Sequence, residues 1–292
     1  MQKLAGLALA AAIAAFTPSA HAADAPIAVM AAENFYADIA SAVGGGHVAV
    51  KAVLSNPDQD PHLFETSPSV ARDVSAARLV IYNGADYDPW MEKLLAAAKS
   101  DNRATLVVAD LMNRKTGDNP HLWYDPATAP AVAKAIATQL SAIDPANAAD
   151  YAAGLAAFEA TLDPLADKVA AIRKKFAGQP VTATEPVFGY MAEALGLTMR
   201  NESFQLSVMN DTEPSAQDTA AFQADLKDGK VKVLFYNSQV TDPQTDRLLE
   251  IAKAGGVPVV GVTETMPAGK SFADWMLGEL DATEKALGGP SS

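Results

Sequence analysis

Two loops in this sequence set a histidine directly behind a proline: Asp60-Pro61-His62-Leu63-Phe64-Glu65 and Asn119-Pro120-His121-Leu122-Trp123-Tyr124-Asp125-Pro126. The chain holds four histidines in 292 residues, so two in the same Pro-His context form a pattern. Imidazole is the commonest transition-metal ligand, and proline stiffens the approach to each ring. Trp123 and Tyr124 are placed to wall off the second ring from water, which strengthens electrostatic interactions there. Glu65 reads as a surface acid or helix cap. His47, behind Gly44-Gly45-Gly46, reads as a surface or structural histidine.

Two carboxylates extend the set. Glu185 stands in Thr184-Glu185-Pro186-Val187-Phe188-Gly189-Tyr190, and Glu264 in Val262-Thr263-Glu264-Thr265-Met266-Pro267. Each follows an apolar run and precedes a proline. Taken singly, each of the four has an ordinary reading: an exposed or backbone-bonded loop histidine, or an acid favourable to a helix dipole. Together, two imidazoles and two carboxylates form a complete four-coordinate set for a divalent first-row ion. Trp123, Asn237 and Gln239 are candidates for supporting such ligands from behind. An ordinary polar turn explains the last two equally well.

These loops need elements to position them. Short aliphatic runs over 27–30, 48–53, 79–82 and 105–108 read as buried strands, with helical periodicity over 34–43, 88–98 and 128–140. The second half repeats the style, with strands over 180–183, 231–236 and 258–262 and helices over 187–195, 216–226, 243–254 and 272–287. Short apolar runs alternating with longer periodic ones predict βα units around mostly parallel sheets. Ligands bind such sheets in loops beyond the carboxyl ends of the strands. All four candidates occupy such loops, two in each half.

Between the halves, Tyr151, Leu155, Phe158, Leu162, Leu165, Val169, Ile172 and Phe176 alternate spacings of four and three, which keeps them on one helical stripe. Pro145 near the start and Gly178 after the end fit the asymmetry of helix termini, and Pro164 is expected to kink the helix. A helix of about 30 residues spans on the order of 45 Å, enough to run beside two lobes. The expected organisation is a signal peptide over 1–22, an α/β lobe over 23–145, a linking helix over 146–178 and a second α/β lobe over 179–292. Such a stiff strut implies small movement on binding.

The signal-peptide reading rests on Lys3, an apolar run over 4–16 and the small-x-small site Ala20-His21-Ala22. The mature chain is then expected to be exported to the periplasm, soluble and monomeric. Cysteine is absent, which removes thiolate chemistry and, by expectation, a lipid anchor on a cleavage-site cysteine. The formal net charge of −13 disfavours nucleic acid. No Gly-x-Ser-x-Gly elbow, His-Glu-x-x-His helix or phosphate-binding loop occurs, so no enzyme is expected.

At these residues the chain resembles the metal-binding receptors of bacterial zinc and manganese ABC importers, the cluster A-I substrate-binding proteins. Asp60-Pro61-His62 with Ser67-Pro68-Ser69 is similar to the family's first histidine loop, Asn119 to Pro126 to its second, and Thr184 to Tyr190 to its third ligand loop. The resemblance implies two α/β lobes joined by one helix, a metal cargo (Mn²⁺ or Zn²⁺) in the cleft, and a membrane permease as partner. Zinc receptors of the family usually carry a third histidine where Glu185 stands. They also often have a His-rich loop ahead of the second histidine, whereas 111–118 is short. The family's fourth ligand is normally an aspartate; Glu264 is the nearest acid here. A receptor for a small organic solute and a secreted metal-dependent hydrolase are the competing readings.

Overall fold

The computed structural model describes residues 25–56, 64, 67–210, 212–240 and 243–288. Its first half runs β1 (Ile27–Glu33), α1 (Asn34–Gly44), β2 (Val48–Leu54), α2 (Pro68–Ala76), β3 (Leu79–Tyr82), α3 (Pro89–Ala97), β4 (Ala104–Val107), α4 (Val108–Leu111) and α5 (Thr128–Ile143). Then comes α6 (Ala148–Phe176), followed by β5 (Pro180–Ala183), α7 (Gly189–Ala194), β6 (Thr198–Arg200), α8 (Glu202–Met209), α9 (Ala216–Lys227), β7 (Leu234–Asn237), α10 (Pro243–Ala254), β8 (Val259–Val262) and α11 (Phe272–Leu287).

The expected α/β architecture in two lobes is what the chain adopts. Each half builds one four-stranded sheet, in the orders β2-β1-β3-β4 and β6-β5-β7-β8, and every pairing is parallel. All four residues of β3 are buried, as befits a strand covered by helices on both faces. In both sheets the order places the reversal of winding beside the first strand, which opens a crevice at the carboxyl ends.

The long helix α6 is 29 residues and continues through Pro164. Six residues of the apolar stripe are buried in it, and Leu155 and Val169 pack against the same core. Gly154 is where α6 meets α1: a Cβ there would lie 2.3 Å from the Val43 carbonyl oxygen. One apolar core runs from Val29 and Phe35 of the first lobe through α6 to Val260 and Leu280 of the second.

Several boundaries differ from the sequence reading. β1 runs on to Glu33, because Ala31 pairs with both Ala52 and Ile81, so tertiary pairing overrides the weak strand preference of alanine and glutamate. The run over 231–236 becomes strand only from Leu234. The helix expected over 187–195 is split into a 3₁₀ turn, Pro186–Phe188, and α7. β6 and α8 were not anticipated; β6 is a three-residue edge strand with both ends exposed, so no burial pattern marks it.

Candidate metal centre

Adjacent strands of the second lobe deliver three polar side chains to one place. β5 ends one residue before Thr184-Glu185, β7 ends on Asn237, and β8 ends two residues before Glu264. Asn237 and Glu264 are 1% and 0% exposed and Glu185 is 7%. The Asn237 amide Nδ2 donates to Glu185 Oε2 at 3.4 Å and also to Glu264 Oε1, so one amide bridges two buried carboxyls. Gln239 fixes the loop behind: its Oε1 accepts the backbone N–H groups of Glu264 and Thr265, and its Nε2 donates to Thr265 Oγ1 at 2.6 Å.

His121 comes from the first lobe and is equally buried. Its loop is held from β3. The Asp88 carboxylate accepts from the backbone N–H groups of Asn83 and Gly84 at 2.7 and 2.8 Å. That fixes a turn in which Gly84, Ala85 and Asp86 all take positive φ. Asn83 Nδ2 then donates to the Pro120 carbonyl at 2.8 Å, while Tyr36 donates to Asn83 Oδ1 at 2.7 Å. Trp123 and Tyr87 cross the imidazole edge-on, at 5.4 and 6.1 Å between centroids.

Asn119 completes the arrangement. Its Oδ1 lies 2.6 Å from His121 Nδ1 and also accepts the His121 backbone N–H. An amide oxygen can only accept, so Nδ1 carries a proton, and in the neutral ring that leaves the lone pair on Nε2. Nε2 faces Glu264 Oε2 at 3.8 Å.

The surroundings keep charge low. Burial, then the Glu264 carboxylate, push the Tyr87 hydroxyl well above its usual range. Burial raises the Glu33 carboxyl strongly, with Asp88 beside it adding to the effect. Burial also pushes Asp88 to about 6, against the pull of the Gly84 and Asn83 amides.

The lobes are tied around this centre. Asn34 donates to the Met266 carbonyl and accepts from the Met266 N–H, at 2.7 and 3.0 Å. Asp38 accepts from Phe272 N at 2.9 Å, Asn119 Nδ2 donates to the Pro186 carbonyl at 2.8 Å, and Tyr190 donates to the Asn119 carbonyl at 2.8 Å.

Of the residues singled out in the sequence, His121, Glu185, Glu264, Asn237, Gln239 and Trp123 thus meet in one buried cluster between the lobes. His62 and Glu65 lie outside the described residues. Among the described residues no group of three or more His, Cys, Asp or Glu is gathered closely enough to hold an ion; the Asn237 amide reaches both Glu185 and Glu264. His47 sits apart at the surface, paired with Asp150 at 2.9 Å. The sequence reading missed Asn83, Tyr87, Asp88 and the roles of Asn34 and Asn119. The turn dipeptide Asn83-Gly84 and the Asp88-Pro89 helix start were the available signals.

Two parallel α/β lobes of identical strand order, one long strut and a buried imidazole–carboxylate cluster between them define a two-lobed receptor. Residues 29–286 match the family model of ZnuA, the zinc-uptake complex component A, periplasmic, and the chain belongs to that family. Relatives include the manganese ABC transporter substrate-binding lipoprotein PsaA of Streptococcus anginosus, 26% identical over 283 residues, covering 89% of this chain and 88% of the relative. The iron ABC transporter substrate-binding lipoprotein MtsA of Streptococcus pyogenes serotype M1 is 25% identical with the same coverage. In fold the chain is similar to the periplasmic zinc binding protein TroA of Treponema pallidum, with a TM-score of 0.76 at 21% identity over 90% of this chain and 99% of that one. It is also similar to a manganese-bound periplasmic metal binding protein of Candidatus Liberibacter asiaticus, with a TM-score of 0.74 at 17% identity, covering 89% and 98%. Among the described residues no helix is long and apolar enough to cross a membrane.

Proposed function

We propose that this protein is the extracytoplasmic receptor of an ABC importer, which captures one divalent transition-metal ion (Mn²⁺ or Zn²⁺) between its lobes and passes it to a membrane permease. The observation that carries the reading is the facing pair His121 Nε2 and Glu264 Oε2, 3.8 Å apart and buried. Two metal–ligand bonds of about 2.1 Å span that gap, and the tautomer set by Asn119 turns the lone pair toward it. Glu185 supplies a second carboxylate across Asn237, and His62 supplies the other imidazole. The names of the relatives, which denote manganese and iron transport, support a first-row cargo. The lobes correspond to 23–145 and 179–292, and the protein works as a soluble monomer without acting chemically on its cargo.

The test is competitive titration of metal-stripped protein with Mn²⁺ and Zn²⁺, with variants His62→Ala, His121→Ala, Glu185→Gln and Glu264→Gln. One equivalent bound tightly, and weakened by each substitution, supports the reading. A wild-type protein that binds neither ion removes it.

A further inference from the structure

Glu279, on the C-terminal helix α11, is a buried carboxyl that takes no part in the centre described above. Its Oε1 accepts from Trp275 Nε1 at 2.8 Å and from the Thr263 backbone N–H at 3.4 Å. Its Oε2 lies 2.7 Å from the Tyr124 hydroxyl, which also lies 2.8 Å from the Thr263 carbonyl oxygen. Tyr124 is three residues beyond His121 and Thr263 immediately precedes Glu264, so one carboxyl touches both loops.

Counting protons favours one wiring of this cluster. Tyr124 has one hydroxyl hydrogen and two neighbours, a backbone carbonyl and a carboxyl oxygen. A carbonyl can only accept. If Glu279 is ionised, both neighbours are acceptors and one buried oxygen goes without a hydrogen. If Glu279 carries a proton on Oε2, every group is satisfied: Glu279 donates to Tyr124, Tyr124 donates to Thr263, and Oε1 still accepts from Trp275 and Thr263. Most buried polar groups are hydrogen-bonded, so the protonated arrangement is favoured over one that leaves an oxygen without a hydrogen.

We propose that Glu279 is a positioning residue that acts as a neutral carboxylic acid, donating to Tyr124 and so holding the His121 loop against the Glu264 loop. This role for metal binding rests on the metal-receptor reading. The environment agrees: burial pushes the Glu279 carboxyl up to about 7, against the pull of Tyr124 and Trp275. The titratable group facing it from packed elements is Tyr124, itself raised by burial and by Glu279, and to a smaller extent by Glu264. Lys168 of α6 is engaged at the surface with Asp281 and Glu284, and Asp38 of α1 with Phe272.

Glutamine copies the neutral acid: its Nε2 can donate to Tyr124 while its Oε1 accepts from Trp275 and Thr263. Leucine copies only the bulk. The experiment is Zn²⁺ and Mn²⁺ titration of wild type, Glu279→Gln, Glu279→Leu and Tyr124→Phe, together with denaturant melting of the metal-free proteins from pH 4.5 to 8. Expected are a Gln variant within about threefold of wild-type affinity, and Leu and Phe variants weakened at least tenfold while still folded. The Gln variant should also show a shallower fall of stability between about pH 4.5 and 7 than wild type, the Glu279 share of the slope being gone while that of Glu33 and Asp88 remains. A Gln variant as damaged as Leu shows that Glu279 works as an anion and overturns the proposal, as does a Leu variant of unchanged affinity. If wild type binds no metal, the receptor reading and the loop-holding role fall with it. The neutral-acid assignment is then still decided by the melting profiles.

Discussion

Asn119 grips His121 with one end of its side chain and the opposite lobe with the other: Oδ1 accepts a hydrogen bond from Nδ1–H at 2.6 Å, and Nδ2 donates to the Pro186 carbonyl at 2.8 Å. A single amide therefore both orients the imidazole and forms one of the ties between the lobes. Replacing Asn119 with Ala should weaken metal binding ten- to a hundredfold, the usual cost of removing a partner behind a ligating histidine. Competitive titration measures the loss. Nitrogen NMR of His121 should show a mixture of tautomers in place of one, and a single unchanged tautomer would contradict the assignment.

Gly154 lets the backbone of α1 approach the strut closely. A glycine to alanine change inside a helix normally adds about 1 kcal/mol of stability. Here the new methyl would sit 2.3 Å from the Val43 carbonyl oxygen, so Gly154→Ala should instead lose about 1–3 kcal/mol as α6 is pushed off α1. Denaturant melting gives the sign directly.

Glu33 makes the metal-free protein pH-sensitive. Its carboxyl is raised by burial and then by Asp88, so the folded state holds a proton that the unfolded chain releases above about pH 4.3. A raised acid contributes its full stability below the unfolded value and loses it as pH climbs, by up to about 1.4 kcal/mol per unit. Glu33→Gln should therefore equal wild type near pH 4.5 and exceed it at pH 7.5. Equal stability at both values would show that Glu33 ionises freely in the fold.

Proton competition should govern cargo affinity at low pH. A metal must take the imidazole lone pair that a proton would otherwise occupy, so affinity should drop steeply below about pH 6. Isothermal titration across pH 5 to 8 checks this, and a flat profile would argue against histidine ligation.

How much of this was legible depended on where each residue sat relative to a turn. His121, Glu185 and Glu264 could be found because each lies beyond an apolar run and against a proline, in segments where the ordinary demands of packing do not explain the residue type. Asn237 and Gln239 were visible only as polar residues just beyond an apolar run, which an ordinary turn explains as well. Glu279 was not: it occupies an amphipathic helix, where an acid looks like any solvated side chain, and its partners stand 16 and 155 positions away. Asn34 was hidden likewise, since its bonds to Met266 join residues 232 apart. β6 escaped because three residues at a sheet edge carry no periodicity. The extension of β1 escaped because alanine takes its structure from its neighbours.

Each sheet is made from one half of the chain and packs a smaller apolar cluster of its own, yet the largest apolar core is shared between the halves through α6 and α11. Melting either half therefore exposes the shared part of the other's interior. The thermodynamic consequence is a single cooperative transition, in which calorimetric and van't Hoff enthalpies agree and any ligand held between the lobes raises the midpoint of the whole molecule together.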